Sequence, residues 1–376
     1  MKVGVHTTHY PFEESRPTYT VGGGEHVARR VAEGMADRGH EVRVYTAGAP
    51  KATQECSNSV DIKRFRSFGR IGNASLSPGQ LIPPNRDTDI VHVHNTTPPG
   101  MISGIIHSVF TDTPLVVTHH GHDRYTPTGS LPRRIGDYLY VNLLLDRILR
   151  SADRITIPSM TYLEESERLS QFNRKIREVP NGIDPSKFEN TQTLPDVYGV
   201  TDDDFLVLFV GNLIEKKGPE TLLEAVSRMD HDVECVIAGT GPLEEELRRQ
   251  SPENVQVPGH VSESDKRALF QRADLFCLPS NHRTEVFPIA VLEAYASATP
   301  VIVSSLSTFD RFVEPDRTGF RVPRADPDAL GDTIAEAFEN RSLLDDMTRE
   351  AKQASAQYCW ETVCKNYEDL FLSLID

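Results

Sequence analysis

Short apolar runs alternate along most of the chain with longer segments in which apolar residues recur every three or four positions. The segments Val3–His6 and Phe205–Val210 have the length of buried strands. Each precedes a segment with helical spacing, Glu25–Arg38 and Pro219–Arg228. Strands that alternate with helices favour a parallel sheet covered on both faces. The pattern therefore predicts an α/β protein with doubly wound parallel sheets.

The alternation is interrupted once, near the middle of the chain. The segment 178–185 combines a strand end, an Asn-Gly turn and a proline, and a polar stretch follows it. We predict a first domain over 1–184, a linker over 185–199 that acts as a hinge, and a second domain over 200–357. A chain of 376 residues is long enough for two cores of ordinary size.

Composition narrows the classes of function. The net charge of −15 argues against nucleic acid as a main partner. The five cysteines are scattered and form no C-x-x-C pair, which favours a reducing compartment. The opening residues read as a strand rather than a signal peptide, and no apolar run reaches the length of a membrane span. We expect a cytosolic protein whose contact with a membrane, where it occurs, is peripheral.

Two basic segments in the first half allow two interpretations. Leu131–Arg150 reads as a helix with leucines, tyrosines and four arginines, and Lys63–Arg70 is a short basic and aromatic stretch. A basic amphipathic helix can lie on an anionic membrane. The commoner arrangement packs the apolar side on the sheet and exposes the arginines, and we favour it here. These two segments are the candidates for membrane contact at the inner face of the cell membrane.

Five of the thirteen histidines lie at two predicted strand ends, DIVHVHN over 89–95 and VVTHHGHD over 116–123. The carboxyl ends of parallel strands are where such sheets bind ligands. His92 and His94 point to one face of their strand, and imidazole is a common metal ligand. No carboxylate or cysteine joins them at the spacing of a zinc site. We therefore expect no metal here.

The segment Glu285–Glu293 places two carboxylates around a predicted helix start at Pro288. A helix start offers unpaired N–H groups and a positive dipole end, which suit phosphate. A carboxylate can accept two hydroxyl protons at once, which suits the vicinal diol of a sugar. Glu285 precedes the helix, and Glu293 is predicted about two turns into it. Taken alone, such a pair is more often a loop acid and a solvated helix acid.

Two further loops carry glycines after a predicted strand. Gly22-Gly23-Gly24 opens the first helix, and Gly211–Gly218 follows Phe205–Val210 and contains Lys216 and Lys217. Glycine lets backbone N–H groups approach an anion closely, and lysine adds a point charge. The first loop is not a dinucleotide fingerprint, because a long stretch separates the strand from the glycines.

Together these segments resemble the retaining glycosyltransferases of family 4, which have the GT-B fold. The resemblance rests on E-x-F-P-I-x-x-L-E-A at 285–294, VPNGID at 179–184, IAGTGP at 237–242 and the glycine loop with its lysine, and it extends over nearly the whole chain. It implies two Rossmann-like domains facing a central cleft, the first for the acceptor and the second for a nucleotide-sugar. It also implies that the terminal helix, 358–376, packs back on the first domain with Trp360 as its anchor.

The resemblance assigns roles to individual residues. Glu293 would hold the ribose, Lys217 the diphosphate, and Glu285 and His120 the transferred sugar; the pattern T-x-H-G favours His120 over its neighbour His119. The other donor-binding residues would be Gly22, Gly23, Gly211, Asn212, Gly239, Phe287, Pro288 and Ile289. The implied reaction moves a hexose from a UDP- or GDP-linked donor to a glycan or glycolipid hydroxyl with retention, without a metal or cofactor.

Two departures from the family pattern leave alternatives open. Asn212 stands where an arginine is usual, and either its amide or Lys216 can supply the missing donor. The turn 305–313 lacks the usual Gly-Gly and Glu and is more similar to phosphatidylinositol mannosyltransferases, with the role of Ser307 and Thr308 toward phosphate undecided. A nucleotide-sugar epimerase and a non-catalytic relative are the competing interpretations, which product analysis and nucleotide release would separate.

Overall fold

The computed structural model describes residues 1–11, 23–49, 53–71, 74–82, 87–121, 131–189, 193–282 and 287–375. The chain divides into two compact units, one formed by Met1–Asn181 with Trp360–Asp376 and the other by Gly182–Cys359. The division falls between Asn181 and Gly182, inside the Asn-Gly turn and just before the predicted boundary at 184.

The first unit contains ten strands and six helices before the division, counted over the described residues. The strands are β1 (Lys2–His6), β2 (Glu41–Ala49), β3 (Thr53–Ser57), β4 (Val60–Arg66), β5 (Gly69–Ile71), β6 (Ala74–Leu76), β7 (Ile90–Asn95), β8 (Leu115–His119), β9 (Arg154–Ile157) and β10 (Ile176–Glu178). The helices are α1 (Gly23–Asp37), α2 (Pro98–Thr111), α3 (Leu131–Leu139), α4 (Leu145–Ser151), α5 (Met160–Glu165) and α6 (Glu167–Ser170). A π-helical turn, Tyr140–Leu144, joins α3 to α4, and 3₁₀ turns lie at Pro78–Leu81 and Asn173–Lys175.

Eight of these strands form one sheet in the order β10-β9-β8-β7-β1-β2-β4-β3. All neighbours are parallel except β3 and β4, and β5 with β6 forms a separate antiparallel pair. The strand order reverses at β1, which lies between β2 and β7. The carboxyl ends of β1 and β7 therefore form a topological switch point, where open parallel sheets bind ligands.

The second unit contains six strands and six helices among its described residues. The strands are β11 (Phe205–Val210), β12 (Val233–Ala238), β13 (Val255–Gly259), β14 (Leu275–Leu278), β15 (Val301–Ser304) and β16 (Gly319–Val322). The helices are α7 (Pro219–Arg228), α8 (Glu244–Gln250), α9 (Glu263–Arg272), α10 (Ile289–Ala296), α11 (Pro327–Glu339) and α12 (Arg341–Ser355). The 3₁₀ turns are Pro185–Phe188, Asp196–Tyr198, Glu215–Lys217, Ser307–Arg311 and Ala356–Tyr358.

The six strands form one parallel sheet in the order β13-β12-β11-β14-β15-β16. Strands β11 and β14 are apolar over their whole length and almost completely buried, as expected for central strands covered by helices on both faces. The order reverses between β11 and β14. The loops that follow these two strands therefore border the second switch point.

The terminal helix α13 (Trp360–Ile375) belongs to the first unit. Val363, Tyr367 and Phe371 recur at helical spacing and are buried in the core of that unit. The Tyr367 hydroxyl lies 3.2 Å from the Thr118 hydroxyl of β8. Trp360 is only half-buried at the edge of this core, so the main anchors are Tyr367 and Phe371 rather than the tryptophan.

The stretch predicted as a linker, 185–199, packs on the second unit over its described residues. Phe188 and Tyr198 are buried in that unit's core, and the Tyr198 hydroxyl donates to the Asp265 carboxylate at 3.1 Å. Over these residues the stretch is therefore part of the second unit rather than a separate linker, and its action as a hinge stays a prediction. Isolated aromatic residues in a polar stretch carry no periodicity, so their burial is not visible in the sequence pattern.

The segment Leu131–Arg150 is helical throughout, but its apolar residues do not all pack inside. Leu131, Ile135, Tyr138, Leu139 and Leu143 are between 44% and 66% exposed. The expectation that the apolar side lies on the sheet is wrong for these residues. Periodicity shows that a helix has an apolar face and not what covers that face. No helix in the described part of the chain is both long and apolar enough to cross a membrane.

Candidate functional site

The two loops that follow β11 and β14 are joined to each other. The backbone N–H of Asn281 donates to the carbonyl of Lys216 at 2.9 Å, and the Asn281 amide reaches the carbonyl of Glu215 at 3.4 Å. The predicted glycine and lysine loop and the segment leading to α10 therefore meet at the switch point of the second unit. The sequence prediction placed both beside the donor.

Gly211 and Gly239 lie in contact, although they come from different loops. Gly239 has a positive φ of +140°, and a Cβ atom there would lie 1.8 Å from the carbonyl oxygen of Gly211. The Gly211 N–H donates to the carbonyl of Ala238, and the Gly239 N–H donates to that of Gly259. No side chain fits at position 239, so this glycine keeps the two loops packed together.

The lysine of the glycine loop lies in the 3₁₀ turn Glu215–Lys217. Lys217 is half-buried, whereas Lys216 and Asn212 are exposed. Both candidates for the missing arginine are therefore on the surface of the same loop, and both alternatives stay open. In the variant turn, Thr308 is buried and Ser307 half-buried, so Ser307 is the more accessible of the two.

Helix α10 begins at Ile289 and not at Pro288. The Ile289 N–H donates to the carbonyl of Phe287 at 3.1 Å, and Pro288 has φ −84° and ψ +84°. This is an inverse γ-turn, which places Pro288 just outside the helix. Glu293 is therefore little more than one turn into α10, and the prediction of about two turns is wrong.

Three predicted donor-binding residues at this helix start contribute to the core. The Phe287 ring packs edge-on against Phe312 at 4.9 Å and is buried. Pro288 is buried, and Ile289 is partly buried against the same core. The Phe287 side chain is consequently turned away from solvent, and only its backbone is available to a ligand.

Glu293 forms an ion pair with Lys266 of α9. The Lys266 Nζ lies 2.8 Å from a Glu293 carboxylate oxygen, and the two side chains are 18% and 15% exposed. Burial raises the pKa of Glu293 above its ordinary value, against the attraction of Lys266. Burial by itself would lower the pKa of Lys266, but Glu293 and Glu263 together hold it above its usual value. The alternative of a solvated helix acid is wrong for Glu293.

Two of the predicted site residues, Glu285 and Gly22, lie outside the described residues. Their assigned roles remain predictions. Gly23 is the exposed first residue of α1, so this helix begins at the glycine turn and not at Glu25.

In the first unit, the carboxyl end of β8 separates two neighbouring histidines. His119 is fully buried against Tyr162, and its Nδ1 accepts the N–H of Gly121 at 3.1 Å. His120 is only half-buried. Of the two, His120 is the more accessible, and it is the one to which the sequence prediction assigned the sugar.

The start of α1 lies directly against His120. A Cβ atom on Gly24 would lie 3.1 Å from His120 Cδ2 and 2.7 Å from Thr96 Cγ2. A larger residue at position 24 would displace one of them, so glycine allows the helix start, the end of β7 and His120 to come together. The structure thus brings Gly23 and His120 to the switch point of the first unit.

His120 is joined to a second histidine that sequence reasoning had considered only as a metal ligand. Its Nε2 lies 3.0 Å from Nδ1 of His94, a fully buried residue of β7. The two rings are nearly parallel, with an interplanar angle of 17°. Burial, together with His92 and His120, lowers the pKa of His94 well below its ordinary value.

Tyr140 connects the π-helical turn to the same strand end. Its hydroxyl donates to the Asn95 side-chain oxygen and also lies against the sulfur of Met101. Asn95 is the last residue of β7. π-Helical turns are frequent at functional sites, and this one ties the exposed helix 131–150 to the switch point.

Sequence reasoning missed His94 as a partner of His120, Lys266 as a partner of Glu293, and Tyr140. Lys266 left a weak signal, because Glu263 precedes it by three residues, the spacing of neighbours on a helix. Within the described ranges, no three or more His, Cys, Asp or Glu side chains are grouped so that they could hold a metal ion.

Two family models match the chain in succession. The model described as Glycosyltransferase Family 4 matches residues 21–187. The model described as Glycosyl transferases group 1 matches residues 190–354. The matched ranges follow the two structural units closely.

Several relatives are similar over most of their length. The D-rhamnosyltransferase WbpZ of Pseudomonas aeruginosa is 31% identical over 71% of this chain and 68% of its own. A phosphatidyl-myo-inositol mannosyltransferase of Mycobacterium leprae is 27% identical over 91% of this chain and 90% of its own. The O-antigen chain mannosyltransferase C of Escherichia coli is 28% identical over 89% and 88%.

Solved structures share the fold at lower identity. HepE of Anabaena, in complex with UDP and glucose, superposes with a TM-score of 0.72 at 20% identity and full coverage of both chains. A sucrose-phosphate synthase from Thermosynechococcus elongatus gives 0.72 at 20% identity, over 99% of this chain and 98% of its own. With its two Rossmann-like units and these relatives, the chain belongs to the GT-B glycosyltransferases of family 4 and is a nucleotide-sugar-dependent glycosyltransferase.

Proposed function

We propose that this glycosyltransferase moves a hexose from a UDP- or GDP-linked donor to a hydroxyl of a glycan or glycolipid, with retention of configuration. The observation that carries the proposal is the position of Glu293. It is a largely buried carboxylate on α10, the helix that follows β14, and the loop after β14 is bonded to the glycine and lysine loop after β11. A carboxylate in that place can accept both hydroxyl protons of a ribose.

The relatives support the class of donor and acceptor. Two of them are mannosyltransferases whose names refer to phosphatidyl-myo-inositol and to an O-antigen chain, and HepE has been solved with UDP and glucose. The turn over 305–313, which resembles that of phosphatidylinositol mannosyltransferases, supports a lipid-linked acceptor on the same ground. In our proposal the first unit takes that acceptor.

The second unit supplies the groups for the nucleotide and diphosphate. Lys217 and the N–H groups of the glycine loop neutralise the diphosphate, whose charge grows as the sugar leaves. Glu293 positions the ribose. Neither Glu293 nor Glu285 acts as a nucleophile, because in same-face transfer the departing phosphate helps to remove the acceptor proton.

The first unit supplies His120 and the start of α1. The N–H groups of a helix start favour an anion, and Gly23 leaves that backbone open. In our proposal His120, which is half-buried beside Gly24, binds a hydroxyl of the transferred sugar close to that anion.

A donor screen tests the proposal. The protein is heated with UDP, GDP and their hexose conjugates, and the correct donor raises the melting temperature because it binds only the folded state. The selected donor is then incubated with candidate glycolipids, and nucleotide release and the anomeric configuration of the product are measured. Absence of stabilisation by every nucleotide, or an inverted product, would contradict the proposal.

The same enzyme is proposed to contact membrane through the 131–150 surface, defined by the exposed side chains of Leu131, Ile135, Leu139 and Leu143 with the nearby arginines. Arg134, Arg147 and Arg150 are also exposed. Contiguous exposed apolar side chains mark interaction sites. An apolar stripe with arginines on the same helical segment fits an anionic lipid surface.

Vesicle sedimentation tests this contact. The protein should sediment with phosphatidylglycerol vesicles and much less with phosphatidylcholine vesicles. Ile135→Glu and Leu139→Glu should reduce sedimentation, because they place charge in the apolar stripe. Phe110→Glu is the matched control, since Phe110 is 64% exposed on α2 of the same unit and lies outside the 131–150 surface. Equal loss in all three variants would argue against a specific surface.

A further inference from the structure

The His94–His120 pair has an unusual feature on the His94 side. Its Nδ1 lies 3.0 Å from His120 Nε2, while its own Nε2 is buried and has no partner among the described residues. His94 itself is 0% exposed. The only hydrogen bond that the structure gives the His94 side chain, within its described residues, is therefore the one to His120.

A neutral imidazole carries one N–H and one lone pair, so the pair has two possible arrangements. In the first, His94 carries its proton on Nδ1 and donates to His120, and its buried Nε2 keeps an unpaired lone pair. In the second, His120 donates, and His94 buries an unpaired N–H. Buried N–H groups without a partner are rarer in proteins than buried acceptors without one, which favours the first arrangement.

We infer that His94 is a positioning residue, which donates its Nδ1–H to His120 Nε2 and so keeps the His120 proton on Nδ1. His120 then carries a hydrogen-bond donor, rather than a lone pair, on Nδ1. This inference rests on the proposed function, in which His120 contacts the transferred sugar, and it names the form of the ring that does so. A hydroxyl oxygen of the sugar is the complementary acceptor.

Neighbouring residues limit the movement of this pair. The close approach of Gly24 holds the His120 ring from one side, with 3.1 Å to the position a Cβ would take. The His92 ring lies 4.4 Å from that of His94, and His92 is itself bonded through Nε2 to Thr118 at 2.7 Å. His94 therefore cannot turn readily to another partner, and the bond to His120 sets its tautomer.

Nitrogen NMR of the histidine rings measures this directly. The wild-type protein is labelled with ¹⁵N-histidine, and the His120 signals are assigned by their loss in His120→Gln. We expect a neutral ring protonated at Nδ1. In His94→Leu, the His120 proton should redistribute toward Nε2, because the group that donated to that nitrogen is gone. A wild-type His120 protonated at Nε2, or an unchanged tautomer in His94→Leu, would overturn the inference.

Kinetics separate positioning from a structural role. With the selected donor and acceptor, His94→Leu should lower kcat by about 100-fold with little change in KM, the scale expected when a reacting group is misplaced. His94→Asn should restore most of kcat, because the amide N–H of asparagine takes the place of Nδ1–H. Equal losses in the two variants would refute the role.

A matched control uses the other buried histidine pair of the unit. His6 Nε2 lies 2.8 Å from His107 Nδ1, and both residues are buried. His107→Leu should alter stability but leave kcat and the His120 tautomer unchanged. If no donor supports transfer, the proposed function fails, whereas the wild-type NMR measurement still decides the tautomer.

Discussion

The ammonium nitrogen of Lys266 lies 2.8 Å from a carboxylate oxygen of Glu293, and neither side chain is more than 18% exposed. The lysine therefore holds the carboxylate that we propose for the ribose. Burial raises the pKa of Glu293, and the attraction of Lys266 opposes that rise. The ion pair therefore orients this carboxylate for the ribose of a nucleotide.

Removing Lys266 should destabilise the second unit. Lys266→Met leaves Glu293 without its cation, and we expect the free energy of unfolding to fall by about 2 kcal/mol. This is less than for a fully buried pair, because both side chains remain partly exposed to solvent. Urea unfolding followed by circular dichroism measures the change. The double variant Lys266→Met with Glu293→Gln should recover much of it. Lys352→Met, at an exposed position of α12, is the control; an equally unstable double variant would show that the pair is not responsible.

Glu293→Gln should weaken donor binding more than it weakens the fold. The amide can accept only one of the two ribose hydroxyl protons through its oxygen, so we expect a loss of about 1.5–3 kcal/mol in binding free energy. Isothermal titration with the nucleotide measures it. Glu263→Gln is the matched control, because Glu263 also contacts Lys266 but is largely exposed. Similar losses in both variants would contradict a specific ribose contact.

Lys217→Ala should weaken binding of the donor by about 1.5–3 kcal/mol, the range for a hydrogen bond to a charged group. The same titration applies, and Lys365→Ala, exposed on α13, should bind normally. Unchanged affinity in Lys217→Ala would rule out its contact with the diphosphate. Asn212→Ala and Lys216→Ala, compared in the same assay, identify which residue replaces the family arginine.

Glu285→Gln should abolish transfer while the protein stays folded. The residue lies outside the described residues, and the prediction follows from the family motif. Single-turnover assays with a saturating donor measure transfer, and the melting temperature reports on the fold. Near-normal turnover in Glu285→Gln would move the sugar site elsewhere.

The first unit should lose stability as pH falls below about 6.5, the ordinary pKa of histidine. Burial lowers the pKa of His92 to about 3 and that of His107 to about 4. For His9, burial and two nearby arginines lower the pKa to about 4. These residues are neutral in the folded state but gain protons when unfolded, so each contributes stability above pH 6.5 that is lost on acidification.

On acidification, each such histidine should lower the free energy of unfolding by about 1.4 kcal/mol per pH unit between pH 6.5 and its pKa in the folded state. Trp360 is the single tryptophan and lies in the first unit, so its fluorescence during urea unfolding at several pH values reports on that unit. In His92→Gln the new amide can reach Thr118. This variant should show a smaller change of unfolding free energy per pH unit, because one protonating group has been removed. His260→Gln, at an exposed position of the second unit, should leave this pH dependence unchanged. A free energy of unfolding that does not vary with pH in the wild-type protein would contradict the prediction.

Local elements were largely predictable from the sequence. The bounds of β11 and α7 agree with the predicted segments residue for residue, because strand and helix periodicity depends on neighbours within one or two turns. The choice of His120 over His119 also followed from a local motif. The start of α10 was misplaced, because Pro288 is compatible with both a helix and the turn that precedes one.

By itself, then, the sequence determined the alternating strands and helices, the Asn-Gly division and the family to which the motifs belong. Only the tertiary structure paired Lys266 with Glu293 and His94 with His120, and only it exposed the apolar face of helix 131–150. The physical reason is distance along the chain. The paired residues are 27 and 26 positions apart, and which side chains meet over such separations depends on strand order and helix packing, which no local pattern encodes.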